Sequence, residues 1–132
     1  MTILAETVHH TLEHDATRGL VRYTRTDVPF DVATLEAAFD TVRAALATLD
    51  RPGCALLVDM RRVPLHGNEA LEKALREKVD RYLAGFPRRA ILVRTAVGVL
   101  QVNRLTQQGP HATDGQAIFR DEGEALAWLL AR

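Results

Sequence analysis

The sequence predicts a single-domain α/β fold over residues 1–132, a mixed and mostly parallel sheet with helices packed against it. Three observations carry this expectation. Two short apolar runs, CALLVDM at 54–60 and RAILVRT at 89–95, read as strands buried on both faces. Helical periodicities precede, separate and follow them, three of the four closed by a Gly/Pro stop. A period-two hairpin leads the chain, which makes the sheet mixed and gives the order β-β-α-β-α-β-α-β-α.

Residues 6–14, ETVHHTLEH, place Val8, His10 and Leu12 on one face and Thr7, His9 and Thr11 on the other. Residues 19–26 continue the alternation, with Val21 and Tyr23 opposed to Arg22 and Thr24, and Asp15–Gly19 supplies the turn. Over residues 32–49, Val32, Leu35, Phe39, Val42, Leu46 and Leu49 recur at spacings of three and four. This is an amphipathic helix with Asp31 as N-cap and Pro52-Gly53 as stop. A second helix is expected near 69–84, capped by Asn68, with Leu71, Leu75, Val79 and Leu83 inward and Gly85 and Pro87 beyond its end. A third is expected near 96–108, then a short strand at 116–119. The terminal helix starts at Asp121, with Glu124 as its capping-box partner, and buries Leu126 and Trp128 or Leu129.

The composition narrows the function classes. With 17 basic and 17 acidic residues the formal charge is zero, so neither nucleic acid nor an acidic membrane surface is the expected partner. No run approaches the roughly 20 apolar residues of a membrane helix, and the first ten residues, MTILAETVHH, do not have the pattern of a signal peptide. A cytoplasmic location is therefore expected. Cys54 is the one cysteine, which excludes an internal disulfide and a cysteine metal cluster. It opens an apolar run and is expected to be a buried, inert thiol. The chain contains no serine at all, which removes serine hydrolases and serine phospho-switches by inventory.

The segments LLVDMRRV at 56–63, RRAILVRTAVGVLQVNRL at 88–105 and RDEGEALAWL at 120–129, in this element order, resemble the STAS family of sulfate-transporter and anti-sigma-factor-antagonist domains. The resemblance implies a small, non-enzymatic bacterial domain that works by docking other proteins. In the antagonist branch, the loop after the acid-ending strand carries a phosphorylated serine. Here that loop reads PLHGNE, without serine or threonine, so the phospho-acceptor does not carry over. Some STAS-like proteins are credited with binding lipids or nucleotides, which keeps a ligand-binding reading open.

Candidate chemistry gathers at the carboxyl ends of the parallel strands, where ligands of such sheets bind. Asp59, Arg61 and Arg62 follow one strand, and Arg94 and Thr95 another, where the third helix begins. Arginines beside a helix N-terminus suit a phosphate or carboxylate. Asp59 can equally pair with Arg61 or Arg94 and neutralise the patch. A structural ion-pair corner, a protein-docking surface and a small-anion site are the three readings.

The histidines do not suggest a metal. His10 and His14 share a strand face but stand roughly 13 Å apart, and His9 and His10 point oppositely, so exposed or hairpin-edge histidines are expected. Asp59 is the one acid placed for general acid–base work, without an identified partner. On the third helix, Val99, Val102 and Leu105 gather on one arc and Val97, Leu100, Gln101 and Arg104 on another. Either the helix is tucked deeply enough to bury both, or the second arc is an exposed mixed patch suited to a protein partner or a second copy of the chain. The expectation is a docking or regulatory module without metal or cofactor. A small-ligand carrier comes second and an enzyme using Asp59 third.

Overall fold

The computed structural model describes residues 1–28, 31–63, 69–95 and 115–131. Six strands form one sheet in sequential order: β1 Thr2–Glu6, β2 His10–Asp15, β3 Leu20–Arg25, β4 Ala55–Asp59, β5 Arg89–Leu92 and β6 Gln116–Phe119. The first three pair antiparallel and the last four run parallel, so the mixed, mostly parallel α/β sheet is as the sequence predicts. Among the described residues the α-helices are α1 Leu35–Leu46, α2 Glu69–Tyr82 and α3 Glu122–Leu129. The third predicted helix, near 96–108, and the Asn68 cap lie outside the described residues.

The first strand is a correction to the sequence reading. Residues 6–14 do not form a single strand, because the chain turns at Thr7. Its hydroxyl accepts hydrogen bonds from the His9 and His10 amides, both at 3.2 Å, and its own amide donates to the His10 carbonyl at 2.8 Å. A threonine folding its side chain back onto the next amides competes with the strand ladder. Val8 is therefore exposed in the turn instead of sharing a face with His10 and Leu12, and the residues before it form the added edge strand β1. The second hairpin matches the sequence. Asp15 pairs with Leu20, and Gly19 takes the left-handed φ of 63° that a residue with a Cβ disfavours.

The sequential strand order fixes where the helices go. Right-handed crossovers that keep stepping in one direction leave their helices on one face. Thus α1 and α2 share a layer, packing Leu35, Phe39, Val42, Leu46, Leu75, Val79 and Leu83 against Tyr23, Leu56, Val58 and Ile91. The opposite face receives α3, where Ala125 and Leu129 meet Leu20, Leu57, Ala90 and Leu92. The small Ala90 and Ala125 allow that helix close to the sheet, while Leu126 and Trp128 stay half-buried. Helix ends are closed by side chains. Asp31 accepts from the Ala33 amide at 2.9 Å, capping a short 3-10 turn over Val32–Thr34 and not α1 itself, whose N-cap Thr34 makes no side-chain capping bond. Asp121 accepts from the Glu124 amide at 2.9 Å ahead of α3. Arg51 donates to the Tyr82 and Ala84 carbonyls at 2.9 and 2.8 Å, and Arg88 to that of Trp128 at 2.6 Å, satisfying the last turns of α2 and α3.

Candidate functional site

All five residues of β4 are buried, and they alternate between the two layers. Leu56 and Val58 face α1 and α2. Ala55, Leu57 and Asp59 face the α3 side, so the last residue of the strand brings a carboxylate into a nearly closed corner, 4% exposed. A buried charge is costly unless it is paired and hydrogen-bonded. Asp59 has both kinds of compensation. Arg61 folds back over it, its Nε donating to Oδ1 at 3.1 Å, its Nη2 to Oδ2 at 2.9 Å and its backbone N–H to Oδ1 at 3.1 Å. From β3, Arg22 Nη2 donates to Oδ2 at 2.8 Å.

Glu122, the first residue of α3, completes the corner by accepting from Arg22 at 2.5 Å and from Arg61 at 3.1 Å. Two guanidinium groups thus face two carboxylates, and the cluster is neutral. Burial pushes the Asp59 carboxyl upward, but hydrogen bonds from Arg61 and Arg22 outweigh it and hold the group below the usual aspartate range. Burial works against the Arg22 charge, and Glu122 and Asp59 together raise its pKa all the same. A carboxylate held ionised with both oxygens engaged is a poor proton shuttle near neutral pH.

The sequence-derived cluster does not close into one site. Asp59 and Arg61 come together, whereas Arg62 and Arg94 are exposed and Thr95 is half-buried. Of the two arginines offered as partners for Asp59, Arg61 takes the role; among the described residues no salt bridge joins it to Arg94. Arg22 and Glu122 were not found from sequence. Their signal is positional: a charged residue on the covered face of a strand beside β4, and an acid at a helix N-terminus, meet once the strand order is known. The patch of Val97, Leu100, Gln101 and Arg104 lies outside the described residues.

A second polar cluster sits inside the core. His10 is fully buried, which corrects the expectation of an exposed or edge histidine. Its Nε2–H donates to the Ala38 carbonyl of α1 at 2.9 Å, and because a carbonyl only accepts, Nδ1 is left to accept from the Tyr23 hydroxyl at 2.9 Å. Phe39 packs edge-on against the imidazole, ring centroids 5.1 Å apart. Burial lowers the His10 pKa to about 4, the Ala38 bond opposing and the charges of His9 and Arg25 adding to the fall. Period-two alternation put His10 on one face with Leu12, but its partners, the Tyr23 hydroxyl and the Ala38 carbonyl, come from β3 and α1, which no local pattern shows. Cys54 is buried as expected, and burial followed by the Asp50 charge raises its pKa, so its thiolate is disfavoured.

Two open grooves lie at the other end of the sheet, by the amino ends of the parallel strands. One of about 550 Å³ runs between Gly53, Cys54, Arg88 and Leu130, and one of about 500 Å³ between Leu49, Pro52 and Gly85. Neither touches the Asp59 corner.

No protein-family model matches the chain, and no curated protein matches it. Among solved structures, a protein of the DUF3478 family from Shewanella loihica, titled as uncharacterised and as having a SpoIIAA-like fold, superposes with a TM-score of 0.59 at 18% identity. The match covers 95% of this chain and 98% of that one. The fold is SpoIIAA-like. This is the STAS architecture that the element order resembles, and at this identity the likeness is one of fold. Within this fold, β4 is the strand that ends in the acid Asp59, and α2 is the next described helix in the chain.

Proposed function

We propose that the chain is a non-catalytic docking or regulatory module of SpoIIAA-like fold, working without a phosphorylation switch in the loop after β4. The observation that carries this reading is the neutral Arg22–Asp59–Arg61–Glu122 corner. It turns the acid best placed for chemistry into an ionised anchor for the loop and for α3. The loop supports the same reading, since residues 60–68, MRRVPLHGN, offer no serine or threonine hydroxyl to a kinase.

Affinity capture on the immobilised chain, followed by light scattering of the chain mixed with the purified captured protein, tests the proposal. A defined heterocomplex is the expected result. A chain that retains only a small molecule through native mass spectrometry, and forms no protein complex, would point to a carrier instead.

A further inference from the structure

Among the described residues, most arginines are partnered. Arg22, Arg25, Arg61, Arg76 and Arg89 meet carboxylates in half-buried or buried pairs. Arg18 and Arg43 meet them at the surface, Arg51 and Arg88 donate to helix-end carbonyls, and Arg81 lies over the Tyr82 ring. Among the described residues three arginines depart from this habit, and they fall together. Arg62 is the third residue after β4, Arg94 the second after β5 and Arg120 the first after β6. All three are exposed, and no described residue supplies any of them with a salt bridge or guanidinium hydrogen bond.

The strand register brings these three positions to one edge. Asp59, Leu92 and Phe119 are aligned across β4, β5 and β6. Adjacent strands lie about 4.8 Å apart, so the outer two strand ends are separated by roughly 10 Å. Acidic side chains spaced along an extended peptide match that separation, one to each strand end. The flanks carry the opposite sign: Asp27 follows β3, and Asp121 follows Arg120, both exposed. A polyanion extended past β4 to the end of β3 would also meet Asp27, whereas an acidic stretch confined to β4, β5 and β6 would not. The buried acids add no positive surplus of their own, because Asp59 and Glu122 are matched by Arg22 and Arg61.

We infer that the carboxyl edge of β4, β5 and β6 docks an acidic segment of a protein partner through Arg62, Arg94 and Arg120. The inference rests on the docking reading above and adds the chemistry of the partner. Association through exposed charges is steered at long range and weakens steeply with salt.

The test is fluorescence anisotropy with a labelled oligoglutamate peptide, on the full chain at low and high salt. Saturable low-salt binding is expected for wild type. The R62A/R94A/R120A variant should bind about tenfold more weakly, as three lost surface pairs imply. The R18A/R43A/R81A variant, with the same change in net charge, should bind as wild type does. Three results would overturn the inference: no binding to wild type, equal loss in both triple variants, or tighter binding of a single-stranded oligonucleotide of matched charge. The two levels separate cleanly. If the protein captured on the wild-type chain still binds R62A/R94A/R120A, docking stands and the arginine edge is rejected. If the peptide binds through the three arginines while the chain captures no protein, the edge chemistry stands and the docking reading falls.

Discussion

Replacing Asp59 by alanine is expected to destabilise the protein by about 3 kcal/mol, the cost of removing one partner from a buried ion pair. Arg22 and Arg61 would keep their charges and lose the carboxylate that both of them face. Glu122 remains to take part of the charge, which places the loss at the lower end of the range for such pairs. For a chain of this size the melting temperature should fall by about 10 °C, read by calorimetry or circular dichroism. A compensated double variant, Asp59→Leu with Arg22→Met, should recover most of that loss, since apolar groups of similar volume replace buried pairs at little cost. If Asp59→Ala unfolds within about 0.5 kcal/mol of wild type, as a surface substitution does, the corner does not anchor the fold. Recovery in the double variant separates the uncompensated charge from a loss of packing.

The second large effect is on acid stability and belongs to His10. In the folded protein the imidazole is neutral and takes a proton only near pH 4, whereas in the unfolded chain it does so near its ordinary 6.5. The folded value is the lower one, so the contribution is fully present above pH 6.5. It is lost as pH falls from 6.5 to about 4 and levels off below. The total is about 3 kcal/mol, of which about 2 is lost between pH 7.5 and 5. Asp59 also has a depressed pKa, but its contribution fades only below the ordinary aspartate value of 3.8, outside this window. Urea titrations at pH 7.5 and 5 should show the loss in wild type and little of it in His10→Gln. Equal losses in the two proteins would assign the pH dependence to other groups.

Much of the fold is legible because it is written in local patterns. The continuous apolar runs of β4 and β5, the three-four spacing of Leu35, Phe39, Val42 and Leu46, and the Asp31 and Asp121 caps need no tertiary knowledge. The element order was enough to reach the SpoIIAA-like architecture. Local patterning failed at Thr7, where one hydroxyl competes with the ladder and splits an apparently continuous alternation into two strands. The site was legible in part for the same reason. Asp59 and Arg61 are two residues apart and their pairing could be anticipated. Arg22 lies 37 residues before Asp59 and Glu122 61 after Arg61, so only strand order and the seat of α3 bring them in. His10 shows the limit from the other side. Parity sets it on the same face as Leu12, but its burial depends on Tyr23 and Ala38 supplying the two partners that satisfy a neutral imidazole in the core.

The Asp59 carboxyl can be followed directly. With aspartate side chains labelled with carbon-13, its carboxyl resonance is titrated by nuclear magnetic resonance and assigned by comparison with Asp59→Asn. An anchor held by Arg61 and Arg22 gives a midpoint below the ordinary 3.8. A midpoint raised toward neutrality would mean a carboxyl that exchanges protons under working conditions, and it would return the corner to the enzymes.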